Sequence, residues 1–265
     1  MHTFEYLCPQ SVADAAKLVT SKPEAKLLAG GHTLLPTMKQ RLAAPKALVD
    51  LGKVAELKGI DRKGSTLIIG AMTTHAEVAE SSVVKSAIPG LAALAAGIGD
   101  PQVRHRGTIG GSVANNDPAA DYPAALLALG ATIATNKREI KADAFFKGLF
   151  ETALADGEII VRISFPVPAK FAYAKFPNPA SRYALAGVAV AQSGSEARVA
   201  VTGAGSSGVY RLTAAESALA KEWSAAALKG IAGDAGQMIA DIHGDAAYRA
   251  HLVGVMARRA VAAAG

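Results

Sequence analysis

Two glycine pairs, Gly30-Gly31 in LAGGHT and Gly110-Gly111 in RGTIGGS, constrain the architecture of this chain more than any other feature. The first pair closes a short apolar run, Lys26–Ala29, that reads as a strand entering a tight turn. Paired glycines let the main chain approach a neighbour closely and turn several N–H groups toward one point. Small hydroxyl residues stand beside both pairs: Thr33 by the first, Thr108 and Ser112 by the second. A single Gly-Gly turn is commonplace. Two such cradles, far apart in sequence, suit a pyrophosphate clamped from both sides.

A third glycine motif competes with them. VAVTGAGSSGVYRL places Gly203, Gly205 and Gly208 in the G-x-G-x-x-G spacing of a dinucleotide-binding turn. That fingerprint has meaning only inside a βαβ unit, with an acidic residue about 20 positions on at the end of a second strand. Glu222 has roughly that offset but lies in KEWSAAALKG, which has helical character, and no second strand follows. The glycines are therefore read as a strand end and loop that need positive φ.

Periodicity supplies the frame around these loops. Ser11–Thr20 reads as a helix opened by a Ser11/Asp14 capping box. Ala47–Leu51 and Thr66–Met72 read as strands, and Val83–Ala96 as a long helix disturbed at Pro89. Pro123–Leu129 reads as a helix started by its proline and stopped by Gly130. Ala131–Thr135 and Ile159–Phe165 read as strands, and Pro166 and Pro168 mark a boundary. Beyond it, Ala184–Ala191 and Ala197–Val201 form a hairpin around Ser193-Gly194-Ser195. Helices at about 213–230 and 246–263 close the chain. The pattern is α+β, with two α/β parts up to about 168 and a smaller sheet-plus-helices part after it.

The side-chain inventory excludes several chemistries. The sole cysteine, Cys8, rules out an internal disulfide, a Cys-rich metal site and a four-thiolate cluster on this chain alone. The six histidines show no H-x-x-x-H pair, and no G-x-S-x-G elbow occurs. The formal charge of +6 is spread over short basic clusters, and aromatic residues are scarce, which argues against nucleic-acid binding. No apolar run reaches the roughly 18–20 residues needed to cross a bilayer, and the N-terminus lacks signal-peptide character. A cytoplasmic protein is expected. Behind the second glycine pair, the cluster NNDPAADYP holds Asp117 and Asp121. These carboxylates either meet ribose hydroxyls or form Asx-turns and a helix start.

At these residues the chain resembles a known family. LLAGGHTLLPTMKQRLAAPKALVDL, IIGAMTTHAEV and DPQVRHRGTIGGSVANNDPAADYPAALLALGA are similar to the FAD-binding medium subunits of molybdenum hydroxylases. The likeness is nearest to carbon monoxide dehydrogenase medium subunits, and more distant to the flavin domain of xanthine dehydrogenase. KFPNPASRYALAGVAV and DAAYRAHLVGVMARRAV extend it over nearly the whole chain. The resemblance implies a vanillyl-alcohol-oxidase-like FAD-binding domain over 1–168, with subdomains of about 1–55 and 56–168. A C-terminal domain of antiparallel sheet and helices would cover 169–265.

The resemblance also implies site residues. Ala29, Gly30, Gly31, His32 and Thr33, with Thr108, Ile109, Gly110, Gly111 and Ser112, would hold the FAD pyrophosphate. Asp121 would lie near the ribose–pyrophosphate portion. Tyr183, or less directly Lys175, would lie near the isoalloxazine, although Tyr183 also fits an ordinary half-buried strand tyrosine. Ser112 departs from the family's usual Asn, and His105 is unusual in the R-x-R-G segment. The cysteine-bearing insertion of hydroxybenzoyl-CoA reductase relatives is missing. The implied function is electron transfer from iron–sulfur centres through FAD to an external acceptor. Substrate oxidation would fall to a large molybdopterin-binding partner, and the clusters to a small [2Fe–2S] partner, the assembly on the family pattern being a dimer of heterotrimers. A stand-alone FAD-dependent oxidase or reductase of the same fold is the alternative. The close-approach argument predicts that Gly110→Val strips FAD and leaves the chain folded.

Overall fold

The computed structural model describes residues 1–265. A three-stranded parallel sheet comes first, with Ala47–Asp50 between Glu5–Leu7 and Ala25–Leu28. Parallel neighbours need a crossover, and helix Val12–Ser21 supplies one. Ser11 caps that helix by accepting the Asp14 N–H. The capping box is only half made, because the Asp14 carboxylate takes the Ser11 hydroxyl and not its N–H. A complete box forms instead at Thr74 and Glu77, which opens helix His75–Glu80.

An antiparallel sheet of five strands follows, ordered Ile60–Lys63, Thr66–Gly70, Ile160–Pro166, Thr132–Thr135, Glu139–Lys141. The helix expected over Val83–Ala96 is two helices, Ser82–Ala87 and Pro89–Ala96. Pro89 has no N–H to donate and drives Ile88 out of helical conformation, to φ −142° and ψ 76°. Helix Tyr122–Ala128 is buried at every residue. Such a helix is apolar all round because it packs on two sides.

The third sheet is antiparallel, with strands Lys170–Pro177, Ala184–Ser193, Glu196–Thr202 and Tyr210–Arg211. Its central strands are buried on both faces. Ala189, Ala191 and Ala200 join the core beneath helix Tyr122–Ala128, while Val188, Val190, Val199 and Val201 pack under helix Ala246–Ala263. The alternation is strict because successive strand residues point to opposite faces. The helix expected over 213–230 stops at Lys221, and a 3₁₀ turn, Ala226–Leu228, follows after Ser224 accepts the Ala227 N–H.

The G-x-G-x-x-G motif is a connector. Gly203 has φ +81°, and a β-carbon there would fall 2.3 Å from the Ala184 carbonyl oxygen. Its N–H donates to Pro118 O, and the Thr202 hydroxyl donates to Pro118 O and Ala120 O. A β-carbon on Gly205 would lie 2.6 Å from Gly208 O. No helix starts on the loop; strand Tyr210–Arg211 comes next. The motif stitches the third sheet to the segment that carries Asp121.

Candidate functional site

The chain turns sharply where strand Ala25–Leu28 ends. Gly31 takes φ +77°, a left-handed value open to glycine, and helix Leu34–Lys39 begins shortly after. The N–H groups of Gly30, Gly31, His32 and Thr33 donate to no acceptor within the chain. They border an open cavity of about 1350 Å³. Drug-sized sites span roughly 300–1,000 Å³, so this one has room for a dinucleotide.

The second glycine pair is built differently. Thr108 caps helix Ile109–Asn115 by accepting the Gly111 N–H at 3.1 Å. The Ile109 N–H goes to Thr73 O, the Gly110 N–H to Ala71 O, and the Ser112 N–H to Thr108 O. At TIGGS, then, four of the five N–H groups are taken by the helix and its neighbours, and only that of Thr108 donates to no acceptor within the chain. Gly110 is glycine for packing: a β-carbon would sit 2.6 Å from Ala71 O. A valine there presses on backbone, so Gly110→Val is expected to disturb the fold together with the cavity wall, not FAD binding alone.

The two loops nevertheless meet. A β-carbon on Gly30 would lie 2.1 Å from Arg106 O and 2.8 Å from the Gly107 Cα. One on Gly111 would lie 3.3 Å from the Ala29 Cβ. Ala29 through Thr33, together with Thr108, Gly110, Gly111 and Ser112, border the cavity. Ile109 does not: it is fully buried in the core.

Asp121 borders the cavity and Lys175 stands behind it. The Lys175 ammonium lies 3.0 Å from Asp121 Oδ1 and donates to Gly97 O at 2.8 Å. The Tyr173 hydroxyl donates to Asp121 Oδ1 at 2.5 Å. Burial pushes the Asp121 carboxyl above its ordinary value, and the Lys175 charge and Tyr173 hydroxyl pull it back down. Asp121 makes no side-chain cap on its helix, whereas Asp117 accepts the Ala119 N–H in an Asx-turn. Tyr183 borders the cavity from the third sheet, at the end of the loop before Ala184.

Three wall elements carried no functional reading in the sequence. Ile98 and Gly99 form one, with the Gly99 carbonyl accepting from both Arg104 and Arg182. His75 is another; burial pushes its imidazole down to about 4, so it is neutral near pH 7. Nothing in its spacing marked it. Leu154–Ile160 is the third, and Glu158 anchors it. Glu158 accepts from Arg138 (2.9 and 3.0 Å), from the Thr135 hydroxyl and from the Ala155 N–H.

The Arg138 guanidinium holds the Glu158 carboxyl at about 2, below its ordinary 4.5. A depressed carboxylate stabilises the fold fully above the ordinary value and loses that contribution as pH falls toward the folded one. The interval corresponds to about 3 kcal/mol, trimmed to about 2 kcal/mol because half-exposed Arg138 is screened by solvent. Glu158→Gln is expected to lower neutral-pH stability by that amount and to flatten the decline between pH 5 and pH 2. Urea unfolding across that range measures it; a parallel decline in both proteins contradicts the assignment.

No group of three or more His, Cys, Asp or Glu side chains is placed to hold a metal ion. No helix is long and apolar enough to cross a membrane.

Comparison with known proteins bears on the whole chain. Residues 2–168 match the FAD binding domain in molybdopterin dehydrogenase, and residues 171–264 match the CO dehydrogenase flavoprotein C-terminal domain. The carbon monoxide dehydrogenase medium chain of Hydrogenophaga pseudoflava is 39% identical, over 98% of this chain and 96% of that one. The nicotine 6-hydroxylase medium subunit of Paenarthrobacter nicotinovorans is 37% identical, with the same coverage of 98% and 96%. Among solved structures, carbon monoxide dehydrogenase from Hydrogenophaga pseudoflava superposes with a TM-score of 0.89 at 38% identity, covering 99% of this chain and 97% of that one.

Proposed function

We propose, from the premise that this chain belongs to the FAD-binding medium subunits of molybdenum hydroxylase complexes, that it holds FAD in the described cavity and relays electrons to an external acceptor. The observation that carries this reading is the row of undonated N–H groups from Gly30 to Thr33, packed against the Arg106 carbonyl and, at the cavity edge, Gly107. Such a concave array suits the oxygens of a pyrophosphate. His32 and Thr33 flank it on the exposed side. Thr108, Gly110, Gly111 and Ser112 form the facing wall, which admits a ligand closely through its glycines and supplies the Ser112 hydroxyl. Ile109 anchors that wall from the core side. Asp121, steadied by Lys175 and Tyr173, offers a carboxylate to a ribose hydroxyl. Tyr183 faces the ring end.

FAD exchanges electrons singly or in pairs, which joins one-electron iron–sulfur centres to a two-electron acceptor. With one cysteine, this chain cannot hold a four-thiolate cluster, so the centres belong to a small [2Fe–2S] partner. A large molybdopterin-binding partner oxidises the substrate, in a dimer of heterotrimers. The chain's own residues bind and orient the flavin and limit its exposure to water.

The test uses the intact complex, with FAD measured per chain and then removed. Substrate should still bleach the iron–sulfur absorbance, while delivery to a dye acceptor stops until FAD is restored. Undiminished delivery without FAD overturns the proposal. Substrate turnover by this chain alone points instead to a stand-alone oxidase.

The connector motif gives a separate expectation. Gly205→Ala should leave the FAD-to-protein ratio unchanged and cost about 1–3 kcal/mol in denaturant unfolding, through contact with Gly208 O. Loss of FAD from a fold of unchanged stability would return the motif to the binding site.

A further inference from the structure

The loop that presents Tyr183 is organised by one buried amide. Asn178 follows strand Lys170–Pro177 and is only 3% exposed. Its N–H donates to Tyr183 O at 2.8 Å, and its carbonyl accepts the Arg182 N–H at 2.9 Å. Its Oδ1 accepts the N–H groups of Ala180 at 2.9 Å and Ser181 at 3.3 Å. Arg182 completes the loop in a left-handed conformation, φ +65°, that a bulky residue adopts only under constraint.

Those two backbone donors identify which amide atom is oxygen, since an NH₂ group cannot accept from them. The Nδ2 group therefore faces the other way, 3.2 Å from Tyr183 Oη and 3.4 Å from His243 Nδ1. It has two hydrogens and no lone pair to offer. Tyr183 Oη must accept from it, and the phenolic hydrogen is left over. No acceptor in the chain takes that hydrogen, and Tyr183 is one of the residues lining the cavity.

We infer that Asn178 is a positioning residue that sets the Tyr183 hydroxyl as a hydrogen-bond donor to an acceptor atom of the heteroaromatic ring bound in the cavity. The inference rests on the reading that Tyr183 faces the ring end of FAD. A hydrogen bond donated to a flavin ring favours the form carrying more electron density there, so it acts on the reduction potential.

Asn178→Asp separates this role from turn formation. Aspartate keeps Oδ1 for the Ala180 and Ser181 N–H groups, but its second oxygen accepts and draws the Tyr183 hydrogen away from the cavity. Tyr183→Phe removes the same hydrogen directly. In the FAD-loaded complex, both variants should shift the flavin midpoint potential in the same direction, Asn178→Asp at least half as far. The double variant should add nothing further.

A shift with Tyr183→Phe and none with Asn178→Asp overturns the inference and leaves the Tyr183 reading standing. No shift with Tyr183→Phe overturns the Tyr183 reading, and the inference with it. If Asn178→Asp does not fold, the C–O stretch of isotope-labelled tyrosine in the unmodified complex decides, with Tyr183→Phe identifying the band. A hydroxyl that both accepts and donates supports the inference; one that only accepts overturns it.

Discussion

Replacing Gly30 with alanine is expected to weaken FAD binding by about tenfold to a hundredfold. The added β-carbon would fall 2.1 Å from Arg106 O and 2.8 Å from the Gly107 Cα. Both are backbone atoms, so no rotamer change relieves the clash and one loop must retreat. Overpacking of this kind costs about 1–3 kcal/mol, and each 1.4 kcal/mol is about tenfold in affinity. The retreat also displaces the undonated N–H groups on which the pyrophosphate reading depends. FAD retained by the complex at graded free FAD gives the measurement. Gly64→Ala is the control: it strains a left-handed glycine, φ +59°, in a turn with open space around it and off the cavity wall. Wild-type affinity in Gly30→Ala would sink the assignment of this loop.

Lys175→Met is expected to cost the fold about 3–5 kcal/mol, the usual penalty for orphaning a buried charge. The Asp121 carboxylate would keep the Tyr173 hydroxyl but lose the ammonium 3.0 Å away. Its pKa, already raised by burial, would rise further. A carboxyl with a raised folded value is tolerated while protonated and becomes costly as pH climbs through that value. The deficit should therefore be largest near pH 7 and shrink on acidification. Asp121→Asn in the same chain should recover most of it. Urea unfolding at several pH values reports both effects, and a small deficit independent of pH would contradict the pairing.

Local pattern and tertiary partnership separate cleanly in this chain. The hairpin at Ala184–Ala191 and Ala197–Val201 and the terminal helix were legible because apolar runs and turn residues act over a few positions. The placing of Gly30-Gly31 at a strand end was legible for the same reason, while the helix at Gly110-Gly111 was not. What each pair does was not. Four of the five N–H groups of TIGGS are taken by Ala71, Thr73 and Thr108, two of which arrive from a segment well upstream. Lys175 meets Asp121 across 54 residues, and Arg138 meets Glu158 across 20. No periodicity encodes which charge will find which. The terminal part of the helix expected at 213–230 failed for a local reason, since Ser224 offers the backbone a competing hydrogen bond. G-x-G-x-x-G misleads because glycine serves close backbone contact as readily as it serves a ligand.

The cavity wall is drawn from the surroundings of the three larger sheets: Ala29–Thr33 after the first, Leu154–Ile160 leading into the central strand of the second, and Ser181–Tyr183 within the third. A ligand seated there works as a non-covalent crosslink between stretches that otherwise meet through their own contacts. Folding and cofactor supply then become one equilibrium. A ligand that binds only the folded chain adds about 2.7 kcal/mol at a hundredfold excess over its dissociation constant. The melting temperature of this chain should accordingly track free FAD concentration, and a cell short of flavin should lose the protein itself, by proteolysis of the opened chain, before it loses any single activity.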